Sequence, residues 1–269
     1  MKKEREQAYE PALSVRELNH RLSALGIKKA NTKVWQLVLL GALAGLYIGF
    51  GGHIFLVALE QGMGKVVGGA VFSVGLILVV IAGAELFTGN IVMVVSSVYS
   101  PKILKNWVSV YFGNLVGSLF LAFVVWNAGL LGSPGELNSL GELAVKVSRA
   151  KVSLSFGQAF LRGIACNVLV VLAIIMATIS KDVISKIVCC VLPVTVFVAS
   201  GFEHCVANMY LIPIGQMADG VSGFGLLRMF RNIIPVTLGN VVGGLLILGV
   251  HPNRIRQISG ILGGGKARS

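Results

Sequence analysis

Six apolar stretches, each long enough to cross a bilayer, decide what this chain can become. A helical span needs about 20 predominantly apolar residues. Residues 34–58, 66–95, 107–131, 156–179, 187–214 and 233–250 all qualify. The second and fifth are too long for a plain span and are interrupted by Gly and polar residues, which predicts that helices two and five are broken. Charged residues make up only 13% of the chain against 55% apolar. A soluble domain carries about 25% charged residues. With a mean hydropathy of +0.83, both disorder and a soluble enzyme core are excluded. The 34 glycines suit the close helix packing of membrane bundles. An all-α polytopic membrane protein is expected.

The net charge of +12 is concentrated at the flanks of the spans, with no basic face interleaved with aromatics, so no nucleic acid is expected as a partner. Of the 23 Lys and Arg, 16 fall on the side of both termini and the 2–3 and 4–5 loops. Six fall on the opposite loops, and Arg162 lies within span four. The positive-inside rule then places the N- and C-termini in the cytoplasm. Cys166, Cys189, Cys190 and Cys205 all lie in apolar runs and read as packing residues, not disulfides. Residues 1–33 are charged throughout and lack the apolar core of a cleavable signal peptide. They are expected to form a cytoplasmic N-terminal segment, with 34–250 a six-helix transmembrane domain and 251–269 a cytoplasmic tail. Within the first segment, Ser14 to Glu17 has the capping-box pattern. Val15, Leu18, Leu22 and Leu25 follow at helical spacing, and Gly26 is expected to end the run. An amphipathic helix on the membrane surface is predicted, with an oligomer contact as the alternative.

An internal repeat sharpens the picture. Gly83-Ala84-Glu85-Leu86-Phe87-Thr88-Gly89-Asn90 and Gly201-Phe202-Glu203-His204-Cys205-Val206-Ala207-Asn208 share the pattern G-x-E-x4-N. Each is followed within three residues by Met (Met93, Met209). Asn106, Gly113-Asn114 and Gly117 match Asn232, Gly239-Asn240 and Gly243 in spacing. The chain therefore reads as two three-helix repeats. Three is odd, so the second repeat inserts inverted, and inverted repeats place a substrate path at their interface.

Glu85 and Glu203 are the only acidic residues within spans, and they are equivalent under the repeat. A carboxylate at mid-membrane costs at least about 2.5–3.5 kcal/mol, so both should face protein or water. Either each braces a helix break by accepting backbone N–H bonds, or the pair binds a cation or carries protons. Their twofold placement inside the break motif favours bracing. His204 breaks the symmetry, because its counterpart is Leu86. An imidazole titrates near neutrality and can offer charge or a proton to a weak-acid anion, and a neighbouring carboxylate would favour its charged form. Thr88 can donate a hydroxyl to an anion, and the exposed N-termini of broken helices attract anions. His53 is expected to be a packing or interface residue. Asn90, Asn208 and Asn114 suit interhelical hydrogen bonds, whereas Asn167 and Asn240 are candidates to line the path. Phe72, Leu76, Leu86, Val170 and Phe197 are apolar, and read either as core or as constrictions of the path.

Several of these segments carry a family resemblance. They are Ala84 to Asn90, Asn106-Trp107 with Val110 to Gly117, Ala199 to His204 continuing to Met209, and Ile234 to Asn240. Through them the chain resembles the formate–nitrite transporter family over nearly its whole length. The resemblance implies an aquaporin-like six-helix protomer in a homopentamer, with one pore per protomer conducting formate, nitrite, hydrosulfide or similar small monovalent anions. It implies a multi-pass protein of the inner (cytoplasmic) membrane. His204 is then similar to the family's central pore histidine, and Thr88 to the threonine of the loop interrupting span two. Asn167 and Asn240 match the pore asparagines, and Lys151 matches a basic residue that draws anions to the vestibule. Leu76, Leu86 and Phe72 resemble the cytoplasmic constriction, with Phe197 and Val170 resembling the periplasmic one.

The expected function is a channel or transporter for small monovalent anions, formate first, with proton-linked permeation. Hydrosulfide or nitrite is the alternative within the family. An aquaporin-like neutral-solute channel is disfavoured because the chain has no Asn-Pro pair. No enzyme activity, cofactor or metal is expected, since one central His with two braced Glu residues is too sparse for catalysis. Protons and membrane lipid are the remaining partners.

Overall fold

The computed structural model describes residues 15–96, 100–221 and 223–250. Ten α-helices follow in order among these residues. They are α1 (Val15–Ala30), α2 (Val34–Glu60), α3 (Gly64–Phe72), α4 (Val74–Ala82), α5 (Ser100–Asn127), α6 (Ser139–Val152), α7 (Phe156–Ile179), α8 (Val183–Ala199), α9 (Cys205–Ala218) and α10 (Phe230–Val250). Two 3-10 helices, Gly89–Val95 and Gly223–Met229, complete the set. Between α5 and α6, Gly132–Ser133 and Glu136–Leu137 pair as a minimal antiparallel hairpin within the otherwise helical chain. Among the described residues five helical segments are long and apolar enough to cross a membrane: Val34–Glu60, Gly64–Ala82, Pro101–Asn127, Phe156–Ile179 and Leu227–Val250. The other apolar stretch is divided between α8, 17 residues long, and α9.

Both breaks occur where the repeated glycines stand. Gly83 and Gly201 have φ of +78° and +72°, a left-handed backbone that glycine adopts without the steric cost of a Cβ. Each ends its helix, and the chain resumes helically at Gly89 on one side and Cys205 on the other. The second resumption is a full α-helix whose N-cap is His204. The first, whose N-cap Thr88 makes no side-chain cap bond, is a 3-10 helix of seven residues.

The halves are built around two glycine seams. A Cβ on Gly117 would overlap the Ala42 carbonyl across the α2–α5 contact, and one on Gly243 would overlap the Ile164 carbonyl across α7–α10. Only hydrogen at these positions allows the backbones to approach so closely.

Helix α1 continues through Gly26 to Ala30, so Gly26 does not end it. A Cβ there would lie 2.6 Å from Ser96 Oγ; the glycine serves close packing. Leu18 and Leu22 are buried against Ile91, Val92, Val171, Ile175 and Leu248. The apolar stripe of α1 therefore packs on the protein itself, not on a lipid surface. Ser14 of the expected capping box, His251 and the C-terminal tail lie outside the described residues.

Helix α6 was not anticipated from hydropathy. Its N-cap Asn138 accepts the Gly141 N–H at 2.9 Å, and Ser139 donates to Glu60 at the end of α2. Helix α1 lies beside the start of α2, so α1 and α6 sit at opposite ends of a 27-residue helix roughly 40 Å long. Arg149 of α6 makes a two-pronged pair with Asp219 just past α9, at 2.6 and 3.0 Å. Cys166, Cys190 and Cys205 are buried, Cys189 is half-buried, and all four are free thiols.

Candidate functional site

The two breaks are held by the same set of bonds. Asn114 Oδ1 accepts the Phe87 N–H at 2.9 Å, while its Nδ2 donates to the carbonyls of Gly41 (2.8 Å) and Glu85 (2.9 Å). Asn240 Oδ1 accepts the Cys205 N–H at 2.9 Å, and its Nδ2 donates to Gly163 (2.8 Å) and Glu203 (2.9 Å). The Glu85 N–H reaches the Leu40 carbonyl and the Glu203 N–H the Arg162 carbonyl, both at 3.2 Å. Each amide thus satisfies two backbone groups that the break leaves without helical partners and ties the break to a carbonyl of an intact neighbouring helix, α2 or α7. Asn240, expected along the path, does the same work as Asn114. Its three polar contacts are all to backbone.

The carboxylates are partnered differently from expectation. Glu85 accepts from Asn90 Nδ2 at 2.6 Å and from Lys29 Nζ at 2.8 Å. Glu203 accepts from Asn208 Nδ2 at 2.6 Å and from Lys151 Nζ at 3.0 and 3.1 Å. Asn90 and Asn208 donate in turn to Asn106 (2.8 Å) and Asn232 (2.7 Å). Those residues reach back to the Lys29 and Lys151 carbonyls. Side-chain amides and a lysine, not backbone N–H groups, therefore hold the Glu pair. A buried charge persists only with such a partner. Lys29 was not singled out from sequence. Its signal was present, because the separation that relates Gly41 to Gly163 also relates Lys29 to Lys151.

Between the clusters lies the asymmetric pair. His204 Nε2 is 2.8 Å from Thr88 Oγ1, and both residues are buried. On its other edge, His204 Nδ1 accepts the Ala207 N–H at 3.1 Å. An acceptor nitrogen carries no proton, so the ring's hydrogen sits on Nε2 and points to Thr88. Thr88 Oγ1 then accepts from Nε2, and its own O–H is left to donate elsewhere. The Glu203 charge, engaged by Lys151, does not pair with the imidazole. The first-turn N–H groups of Cys205 and Ala207 are likewise occupied by Asn240 and His204.

Two cavities approach this pair and share no lining residue. One, of 210 Å³ at the α6 end, is bounded by Lys65, Lys151, Arg162, Phe72, Phe197 and His204, among others. The other, of 740 Å³ at the α1 end, is bounded by Leu86, Gly89, Glu85 and Lys29, among others. Phe72 and Phe197 meet edge to face with ring centroids 5.9 Å apart, and Phe197 stacks on His204 at 5.9 Å. Phe72 thus stands with Phe197 on the α6 side, not with Leu76 and Leu86 as expected. Leu76, Leu86 and Val170 are buried. Asn167 donates to the Asn240 carbonyl at 2.7 Å and to that of Thr88 at 3.4 Å, while its Oδ1 is buried without a partner. His53 does not join the site. Its Nδ1 is 2.9 Å from the buried Tyr210 hydroxyl. Among the described residues no group of three or more His, Cys, Asp or Glu is arranged to hold a metal ion.

Comparison with known proteins agrees on one kinship. The formate/nitrite transporter family model matches residues 16–252. The chain is 38% identical over 251 residues to a probable formate transporter of Methanothermobacter thermautotrophicus, covering 84% of this chain and 90% of that one. It is 38% identical to the formate channel FocA of Haemophilus influenzae, covering 70% and 73%. Among solved structures it resembles a pentameric formate channel with formate bound, with a TM-score of 0.72 and 35% identity over 83% of this chain and 98% of that one.

Proposed function

The chain belongs to the formate/nitrite transporter family, and from that membership we propose that it conducts formate, in a proton-linked manner, through a pore in each protomer of a homopentamer. The single observation that carries this reading is the buried His204–Thr88 bond, seated between two cavities that share no lining residue. The duplicated Asn and Lys–Glu contacts support two inverted three-helix repeats in an aquaporin-like arrangement. The excess of basic residues on the α1 side supports cytoplasmic termini in an inner membrane.

The steps follow from the chemistry of the residues. A bare anion loses its hydration on entering an apolar passage, a loss that aromatic and aliphatic side chains cannot replace. The Lys151–Glu203 and Lys29–Glu85 pairs keep a cation at each mouth without leaving it as an isolated buried charge. Phe72 and Phe197 on one side, and Leu76 and Leu86 on the other, narrow the path. Between them the Thr88 O–H donates to the anion, backed by His204 Nε2–H.

Proton transfer to formate requires the imidazolium. Proton uptake at Nδ1 removes the acceptor of the Ala207 N–H, and the Nε2 hydrogen then passes to Thr88 Oγ1 as the Thr88 hydroxyl hydrogen passes to a formate oxygen. Formic acid leaves with one proton and no charge. The ring is then neutral with its hydrogen on Nδ1, and it returns to rest by taking a proton at Nε2 and releasing the one on Nδ1, which again accepts the Ala207 N–H. The cap thus returns His204 to its resting tautomer after each transfer.

Formate uptake into proteoliposomes tests the assignment, with nitrite and hydrosulfide in parallel. Saturable, pH-dependent formate flux is expected. Flux of nitrite or hydrosulfide without formate would transfer the reading to that anion, and flux of none would refute it.

A further inference from the structure

The duplicated contacts account for Lys29 and Lys151 but not for the size and charge of the cavity at the α1 end. At 740 Å³ it is more than three times the volume of its counterpart. It falls within the roughly 300–1,000 Å³ typical of sites for organic ligands, and an anion of three heavy atoms fills little of it. His20, Arg21, Lys28 and Lys29 line it from α1, and Lys186 lines it from α8. Among the described residues Glu85 is the only carboxylate in the lining, and Lys29 already engages it. Arg21 bonds to Glu17, which is outside the lining. Asp182, near Lys186, spends its oxygens on the Ser185 N–H and hydroxyl. Lys28 and Lys186 have no ion-pair partner among the described residues. At the position matching Lys28 in the second half stands Ala150.

Cations facing one cavity repel each other, and a monovalent anion can neutralise only one of them. A chain of phosphates presents several charged oxygens at once and accepts from lysine, arginine and hydroxyl donors together. Thr32 also lines the cavity, its hydroxyl donating to the Lys28 carbonyl at 3.1 Å. Leu86 and Gly89, which flank Thr88 in the chain, line the cavity, so an occupant beside them stands across the path. We propose that the α1-end cavity is a binding site for a soluble multivalent phosphate anion, of the class of tripolyphosphate or a nucleoside triphosphate, which occludes the path from that side. The occlusion rests on the functional reading above, whereas the binding does not.

The test is calorimetric titration of the purified full-length oligomer with tripolyphosphate at fixed ionic strength. Saturable binding is expected. It should weaken about threefold in Lys28→Gln or Lys186→Gln and about tenfold in the double variant, while Lys65→Gln at the other cavity leaves it unchanged. Absence of saturable binding, or equal affinity in the double variant, overturns the site. Reconstitution distinguishes a lipid headgroup from the soluble ligand. Binding that survives in phosphatidylcholine but is abolished in phosphatidylglycerol vesicles would assign the cavity to lipid and overturn the soluble occupant. Tripolyphosphate placed on the α1 side should slow formate flux, and binding without slowing overturns the occlusion. A chain that carries no formate would still answer the binding experiment, so the two readings fail separately.

Discussion

His204 and Thr88 come from opposite halves of the chain and meet at 2.8 Å, Nε2 to Oγ1. This bond has no twin in the other half, since Leu86 and Val206 occupy the matching positions. The Asn and Lys–Glu contacts around it are duplicated.

Thr88→Val removes the hydroxyl and keeps the shape. His204 Nε2–H then loses its partner, and the anion loses a donor. The assembled oligomer should persist while formate flux falls about tenfold, the equivalent of one hydrogen bond. Thr88→Ser should retain most of the flux. Proteoliposome uptake at matched protein level checks both.

Glu203→Ala leaves the Lys151 charge and the Asn208 amide without their acceptor. Loss of one partner of a buried pair costs about 3–5 kcal/mol, so the yield of folded oligomer in size-exclusion chromatography should drop sharply. Replacing the pair together, Glu203→Gln with Lys151→Met, removes both charges and keeps an acceptor for Asn208. Its yield should approach wild type. A double variant no better than Glu203→Ala would contradict the bracing role.

Gly117→Ala forces a methyl into the Ala42 carbonyl, and backbone cannot yield as a side chain does. Overpacking costs typically about 1–3 kcal/mol, and this site stands at the upper end. Gly249 has nothing within 4 Å of a built Cβ, so Gly249→Ala should be neutral or slightly stabilising. Thermal unfolding of the two variants in one detergent separates them.

Much of this was legible in the sequence because apolar length and glycine placement act locally. Gly83 and Gly201 marked the breaks, since no other residue adopts their backbone as cheaply. The spacing of Asn114 and Asn240 marked the seams. What stayed hidden depends on contacts between distant segments. Phe72 was grouped with Leu76, four residues away on the same apolar stretch, but Phe197 of α8 fixes its place. Asn240 read as a path residue because nothing local reveals that the Cys205 N–H and two carbonyls converge on its amide. The partners of the two Glu residues lie on α1 and α6, helices whose modest hydrophobicity gave no membrane signal.

Asp182 caps α8 by accepting the Ser185 N–H at 2.8 Å and its hydroxyl at 2.7 Å. These bonds hold its carboxyl below the usual carboxylate range. A lowered folded value means the cap is fully present above the unfolded value of about 3.9 and is lost as pH falls through the folded one. Hydrogen exchange at the Ser185 amide should therefore be slow at neutral pH, stay protected at the ordinary carboxylate pKa, and lose protection only as pH falls further, through the lowered folded value. Asp182→Ala should remove that protection at all pH values.

The proton-linked role of His204 is tested most directly by the pH profile of formate flux in His204→Asn. Asn is a strong N-cap residue, so its side-chain oxygen can accept the Ala207 N–H and the assembled oligomer is retained. The titrating ring is gone. Formate flux in this variant, measured from pH 5 to 8 at matched protein level, should lose most of its pH dependence. A profile that parallels wild type would show that no proton passes through His204 and leave the residue as the cap of α9 alone.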